Sequence, residues 1–433
     1  MNKKLRKFYM FLAAVVMVIL SVFIGNGRAN EVNKSEAIPG GANAASREAE
    51  AMELTSEDLG VLGDYLYDDA TALDATSTDA EEPSDEVQEI LDGMTVEEKV
   101  AQLFIITPDA LTGTEMVTMA GDATKDAIDE IPVGGIIYMG DNLQTEYQVK
   151  EMLANTNSYS EQRIGLPMFL CVDEEGGTVA RIAGSGRFDV TNVGNMSDIG
   201  ETGTVEDARE CGVTMGTYLK EMGFNVDFAP VADVLTNPEN SIVKYRSFGS
   251  DVDKVSDMSI AVADGLKSEG IEATYKHFPG HGATAGDTHL GAAFTTKTID
   301  ELKSEELVPF QKAIDNGANF MMVSHISAPN ITGHDTPASL SEEIVTNLLR
   351  EDMGYDGIVI TDAMEMGAIS SKYTSDDAAI MAIQAGADMI LTPQDFQKAY
   401  KGVVDAVKSG EISEERLDES VSRIVRLKLE MDN

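Results

Sequence analysis

From residue 93 onward the chain alternates short, nearly continuous apolar runs with longer segments of helical periodicity. The runs fall at 103–107, 135–139, 168–173, 226–230, 273–277, 320–325, 357–362 and 389–391, eight in all. Runs this short and this uniformly apolar suit strands buried on both faces, as parallel strands are. Between them, 205–222 and 302–316 repeat apolar residues at helical spacing, and Gly223, Gly270 and Gly317 stand where helices end. Thr95-Val96-Glu97-Glu98 predicts a helix start, with Thr95 and Glu98 satisfying each other's exposed amides. Eight strand-and-helix repeats in about 340 residues predict a single (β/α)8 barrel over 93–433. A doubly wound open sheet would show similar alternation.

The first 92 residues follow neither period. Lys3, Lys4, Arg6 and Lys7 precede an uncharged run at 8–24, and small Gly27 and Ala29 follow it. This is the pattern of an export signal, so residues 1–29 are expected to be a cleaved signal peptide or a retained N-terminal membrane anchor. Residues 30–92 are rich in small and acidic side chains. Between Glu48 and Asp92 there are sixteen acidic residues and no basic one, which predicts an acidic, disordered linker with room for short helical stretches around 59–67.

Charge excludes one class of partner. The chain has 32 basic and 75 acidic residues, a formal net charge of −43. Residues 93–433 alone still carry a net −32, so the tail does not account for it. Nucleic acid is not expected to bind, because displacing its condensed counterions requires lysine and arginine. Cys171 and Cys211 make no disulfide framework and read as buried small hydrophobes.

In a barrel of this kind chemistry gathers on the loops that leave the C-terminal ends of the strands. Polar residues lie there. The third run ends in Asp173-Glu174-Glu175-Gly176-Gly177, the fifth in Lys276-His277, the sixth in Ser324-His325 and the seventh in Thr361-Asp362. The fifth continues into a loop that holds three of the five histidines, His277, His281 and His289. Asp287 and His289, two apart, suit an acid/base pair in which the carboxylate orients the imidazole and raises its basicity. His277 and His281, four apart, together with Asp287 and His289 would offer ligands that zinc accepts. Pro279 and Gly280 interrupt any helix between the first two, so their spacing does not place them on one face. Neither a metal nor a cofactor is expected.

These residues sit in ordered motifs: LDGMTVEEKVAQLF at 91–104, DEEGGTVARI at 173–182, NVDFAPVADV at 225–234, YRSFG at 245–249, KHFPGHG at 276–282 and TDAMEM at 361–366. With them the chain resembles glycoside hydrolase family 3, in its β-N-acetylglucosaminidase branch, from about residue 91 to the end. The resemblance implies a barrel, with Asp362 as nucleophile and His289, paired with Asp287, as general acid/base. Thr288 stands between the pair where the family more often has serine. Asp173, Arg181, Arg246, Lys276 and His277 fall at the positions that hold the sugar, though Arg181 would equally serve to pair with Glu174 or Glu175. The chain ends about 70 residues after Asp362, room for the last strand and closing helices. A second domain is therefore not expected.

The implied activity is a retaining exo-β-N-acetylglucosaminidase, acting on N-acetylglucosamine-containing glycans such as cell-wall muropeptides or chitin oligosaccharides outside the membrane. Two other functions fit the same residues. Phosphorolysis is the enzymatic one, because a histidine in place of a carboxylate acid/base removes a charge that would repel phosphate. A wall-binding module that has lost catalysis is the other.

Overall fold

The structure is a computed structural model that describes residues 84–432, except 285, 287, 289 and 290. The expected signal, most of the acidic linker, and Asp287 and His289 therefore lie outside the described residues. No helix among the described residues is long and apolar enough to cross a membrane.

The eight apolar runs all become strands: β1 Phe104–Ile106, β2 Gly135–Ile137, β3 Phe169–Val172, β4 Val226–Asp227, β5 Glu272–Phe278, β6 Phe320–Val323, β7 Ile358–Thr361 and β8 Ile390–Leu391. They pair in parallel in the order β7-β6-β5-β4-β3-β2-β1-β8. A parallel bridge between Ile360 and Met389 joins the two ends of that order and closes the barrel. An open doubly wound sheet would have left β7 and β8 as edges. The strands are buried almost throughout, as expected when helices cover one face and the barrel interior the other.

The helix at Val205–Met222 has the limits that the sequence pattern predicts, and Gly223, Gly270 and Gly317 all adopt the left-handed backbone that stops a helix. The Thr95–Glu98 box forms, with Thr95 N–H donating to Glu98 Oε2 at 2.9 Å and Glu98 N–H to Thr95 Oγ1 at 3.2 Å. Cys171 and Cys211 are buried and unbridged.

Two expectations change. The helix predicted over 302–316 breaks into Ile299–Ser304 and Leu307–Asp315. At the break Glu306 is fully buried and ion-paired with Lys297 at 2.5 Å, a tertiary contact that overrides the helical period. The acidic linker also ends earlier than Asp92, because Asp85–Gly93 is helical. Ser84 Oγ accepts from Val87 N–H at 3.4 Å, and Val87 and Leu91, four apart, bury their side chains where this helix packs against the closing helix Glu414–Asp432. Two apolar residues on one face anchor a segment whose composition alone reads as solvated.

Candidate active site

The third strand's acidic run divides by alternation. Successive residues of extended chain point to opposite sides, so Asp173 and Glu175 face the barrel mouth while Glu174 turns away. Glu174 accepts from the backbone N–H groups of Ile182 and Ala183 at 2.7 and 2.8 Å and from the Tyr218 hydroxyl at 2.8 Å, which makes it a brace for the following loop.

Glu175 organises the charges of the mouth. Arg246 grips it through two parallel bonds, Nε to Oε2 at 2.7 Å and Nη2 to Oε1 at 2.7 Å. Lys276 Nζ lies 2.6 Å from Glu175 Oε1 and donates to Asp173 Oδ1 at 2.9 Å. Burial alone would raise the pKa of Glu175, but Arg246 and Lys276 outweigh it and hold the carboxyl well below the usual range. Burial likewise would lower Lys276, and the charges of Asp173 and Glu175 instead keep it above its ordinary value. Lysine has three donors and arginine five, so both retain N–H groups for a ligand after these contacts. Arg181 pairs with neither glutamate; its guanidinium stands 3.5 Å from Asp173 Oδ2 at a half-exposed position.

A second network begins one strand further on. Asp233, in the segment after β4, is completely buried. Its Oδ2 lies 2.7 Å from His277 Nδ1 and its Oδ1 accepts from His281 N–H at 2.6 Å. On the far side of the ring, His277 Nε2 is 3.2 Å from Arg246 Nη2. The His281 ring lies between two threonines, with Nδ1 3.0 Å from Thr284 Oγ1 and Nε2 3.4 Å from Thr288 Oγ1. Burial pushes the pKa of His281 down despite Asp233 nearby. The glycines of KHFPGHG make this packing feasible: a Cβ on Gly282 would stand 1.8 Å from Val234 O, and one on Gly280, where φ is +120°, 2.6 Å from Glu306 Cβ.

Asp362 follows β7 directly. Its backbone N–H donates to Val323 O at 2.8 Å, and Oδ1 accepts from Ala363 N–H at 2.8 Å. Burial would raise its pKa, yet the net direction is downward, with the Ala363 N–H and the Lys276 ammonium acting against burial, so the carboxylate is ionised at neutral pH. His325 supports this turn, with Nε2 3.0 Å from Ala363 O.

Asp173, Arg181, Arg246, Lys276, His277 and Asp362 all line one cavity of about 360 Å³ at the C-terminal ends of the strands, together with Glu175 and Thr288. That volume is within the range of small-molecule sites, roughly 300–1,000 Å³. Six of the eight expected site residues are thus brought together, while Asp287 and His289 lie outside the described residues. Thr288, between those two, is described; besides lining the cavity, its carbonyl accepts from Ala368 N–H at 3.0 Å. A larger cavity, about 690 Å³, opens among the segments that precede β3, β4 and β5, and none of these site residues lines it.

Residues 95–427 match the glycosyl hydrolase family 3 N-terminal domain. The chain belongs to glycosyl hydrolase family 3. β-Hexosaminidase A of Pseudoalteromonas piscicida is 32% identical over 332 residues, covering 71% of this chain and 55% of that protein. β-Hexosaminidase LpqI of Mycobacterium tuberculosis is 33% identical over 342 residues, covering 76% and 82% respectively. Among solved structures, a family 3 β-N-acetylglucosaminidase from Paenibacillus sp. str. FPU-7 superposes with a TM-score of 0.73 at 36% identity, over 78% of this chain and 63% of that one. The chain thus spans only about half the length of the first of these relatives.

Two residues escaped the reading of the family 3 motifs. Glu175 was visible only as one of three consecutive acids, and strand alternation was the signal that would have paired it with Asp173. Asp233 lies inside the quoted segment NVDFAPVADV, but nothing local distinguishes it from Asp227 in the same segment.

Proposed function

We propose that the chain is a retaining exo-β-N-acetylglucosaminidase that removes terminal N-acetylglucosamine through a glycosyl-enzyme on Asp362. The observation that carries this reading is an ionised carboxylate, Asp362, in the wall of a sugar-sized cavity that also holds the Asp173–Lys276–Glu175–Arg246 network. Donors and acceptors of that network suit the hydroxyls of one pyranose ring. The names of the relatives, β-hexosaminidase and β-N-acetylglucosaminidase, support the same substrate class.

In the first step Asp362 attacks the anomeric carbon while His289, as imidazolium, gives its proton to the glycosidic oxygen. The bond from that carbon to oxygen breaks, and the aglycone leaves as an alcohol. In the second step neutral His289 takes a proton from water, the resulting nucleophile attacks the same carbon, and the ester to Asp362 breaks. Free N-acetylglucosamine leaves and the carboxylate is restored. Asp287 is assigned to orient His289 and stabilise its charged form. Support for the loop's place in this chemistry comes from Thr288, which stands between the two and lines the cavity.

Residues 1–29 and the acidic segment after them fit a role outside the cytoplasmic membrane, with wall muropeptides or chitin fragments as the glycan. The test is product analysis on N-acetylglucosaminides, glucosides and muropeptides, with and without phosphate, plus trapping with a fluorinated substrate. Free N-acetylglucosamine and a label on Asp362 support the proposal. Sugar 1-phosphate would establish phosphorolysis instead, and no turnover would leave a binding module.

A further inference from the structure

Hydrogen bonding fixes the proton on one buried ring of this site. Arg246 has donors only, because a guanidinium stays protonated in proteins. Its Nη2 stands 3.2 Å from His277 Nε2, so that nitrogen must present a lone pair. The remaining ring nitrogen, Nδ1, lies 2.7 Å from Asp233 Oδ2, an acceptor, and must carry the hydrogen. The other oxygen of Asp233 is held by backbone N–H groups, that of His281 at 2.6 Å and that of His277 at 3.4 Å. Every group facing Asp233 in these contacts is thus a donor.

We infer that Asp233 is a positioning residue: it locks His277 as the neutral Nδ1–H tautomer, and the Nε2 lone pair then steers Arg246 toward the sugar. A chain of alternating donors and acceptors runs from Asp233 through His277, Arg246, Glu175 and Lys276 to Asp173. One end is buried completely and the other lines the cavity. Both nitrogens of His277 are engaged within the protein, so in this arrangement the ring has no N–H left for a substrate hydroxyl. It acts through Arg246.

Asp233→Asn is nearly isosteric and reverses one polarity. The amide oxygen keeps the two backbone N–H groups, while Nδ2 presents a hydrogen to His277 Nδ1. The ring must then move its own hydrogen to Nε2, where it meets the N–H of Arg246. Since Arg246 is placed to hold the sugar before and during the reaction alike, its displacement weakens ground state and transition state together, which raises KM more than it lowers kcat.

The experiment uses the full chain and nitrogen-15 spectra of the imidazole rings. With five histidines in the chain, His277 is assigned by the signal that disappears in His277→Gln. The wild-type ring should show a pyrrole-type Nδ1 and a pyridine-type Nε2 at neutral pH. In Asp233→Asn the pattern should reverse, and KM for a nitrophenyl N-acetylglucosaminide should rise about tenfold with kcat within about threefold. A wild-type Nε2–H or doubly protonated ring overturns the inference. So does an Asp233→Asn enzyme with unchanged tautomer and KM, or one that loses kcat alone. If that variant does not fold, the wild-type spectrum decides. The inference rests on the proposed function for its kinetic arm only: a wild-type chain that cleaves no N-acetylglucosaminide would sink that function, while the spectrum would still read the tautomer.

Discussion

The two ends of the barrel each hold a carboxylate, one fully buried and one partly exposed to the cavity, and they do opposite things with it. At the closing end Asp388, fully buried, meets a donor on every side. Oδ1 accepts from the Ser420 hydroxyl at 2.7 Å and from Arg423 at 3.3 Å, with Arg416 3.8 Å away, and Oδ2 accepts from Val359 N–H at 2.9 Å and from Arg350. At the open end Asp362, among the described residues, has a single hydrogen bond to its carboxylate, from Ala363 N–H. No other described residue donates to it, and it lines the cavity. A buried charge whose partners saturate it is a fastener, and removing one partner is costly because the rest are left uncompensated. A partly buried charge that geometry leaves unsaturated is available for reaction.

The sharpest way to break that contrast is to neutralise both carboxylates. Asp362→Asn should lower turnover by about a thousandfold or more, since the covalent step loses its nucleophile. Its circular dichroism and denaturation midpoint should stay close to wild type. Near-normal activity would move the nucleophile elsewhere.

Asp388→Asn should do the reverse, costing roughly 3–5 kcal/mol of stability by denaturant titration while kcat per folded molecule is kept. Burial would raise the pKa of Asp388, but Arg350, Arg423, Arg416 and the Val359 N–H hold it below 3.8. A depressed folded pKa gives stability that is fully present above the unfolded value and is lost as pH falls through the folded one. The gap between wild type and variant should therefore be widest at neutral pH and close in acid. A gap independent of pH would mean that the charge is not what matters.

Glu175→Gln sharpens the comparison from within the open end, where the network serves binding as well as cohesion. One of the paired oxygens becomes a donor facing Arg246 or Lys276, so kcat/KM should fall by roughly tenfold to a hundredfold, mostly in KM. A loss of stability with unchanged kcat/KM would class Glu175 with Asp388.

The prediction with least effect on activity concerns Lys428 of the closing helix. It is buried with Nζ donating to Gln102 Oε1 at 2.8 Å and standing 5.0 Å above the Phe169 ring, and burial lowers its pKa from 10.5 to about 7. Between those values the unfolded chain binds one more proton than the folded one, so stability should rise with pH from about 7 toward 10.5. Lys428→Met should remove that rise in urea titrations at neutral and alkaline pH, with little change in activity. A slope that survives the substitution would assign it to another group.

Much of this is legible along the chain because it depends on neighbours in sequence. Eight apolar runs bounded by turn signals mark the strands, and polar residues at their C-terminal ends mark the mouth, since strand direction alone puts them there. The Thr95–Glu98 box and the helix at Val205–Met222 are equally local. Failures fall where a distant partner decides. Glu306 interrupts a helical pattern where Thr236, 70 residues away in sequence, donates to its Oε1 at 2.7 Å, and Val87 and Leu91 draw an acidic stretch into a helix against the closing one.

By itself the sequence determined the eight strand-and-helix repeats and which loops carry chemistry, because hydrophobic period and turn chemistry act over a few residues, whereas closure of the sheet shows only in the bridge from Ile360 to Met389. Tertiary structure alone decided which buried acids are saturated. Asp388 draws its donors from Arg350, Val359, Arg416, Ser420 and Arg423, and Glu175 its own from Arg246 and Lys276. Those separations are far beyond any local period, and whether a carboxylate becomes a fastener, a brace or a nucleophile depends on how many donors reach it once the chain has closed.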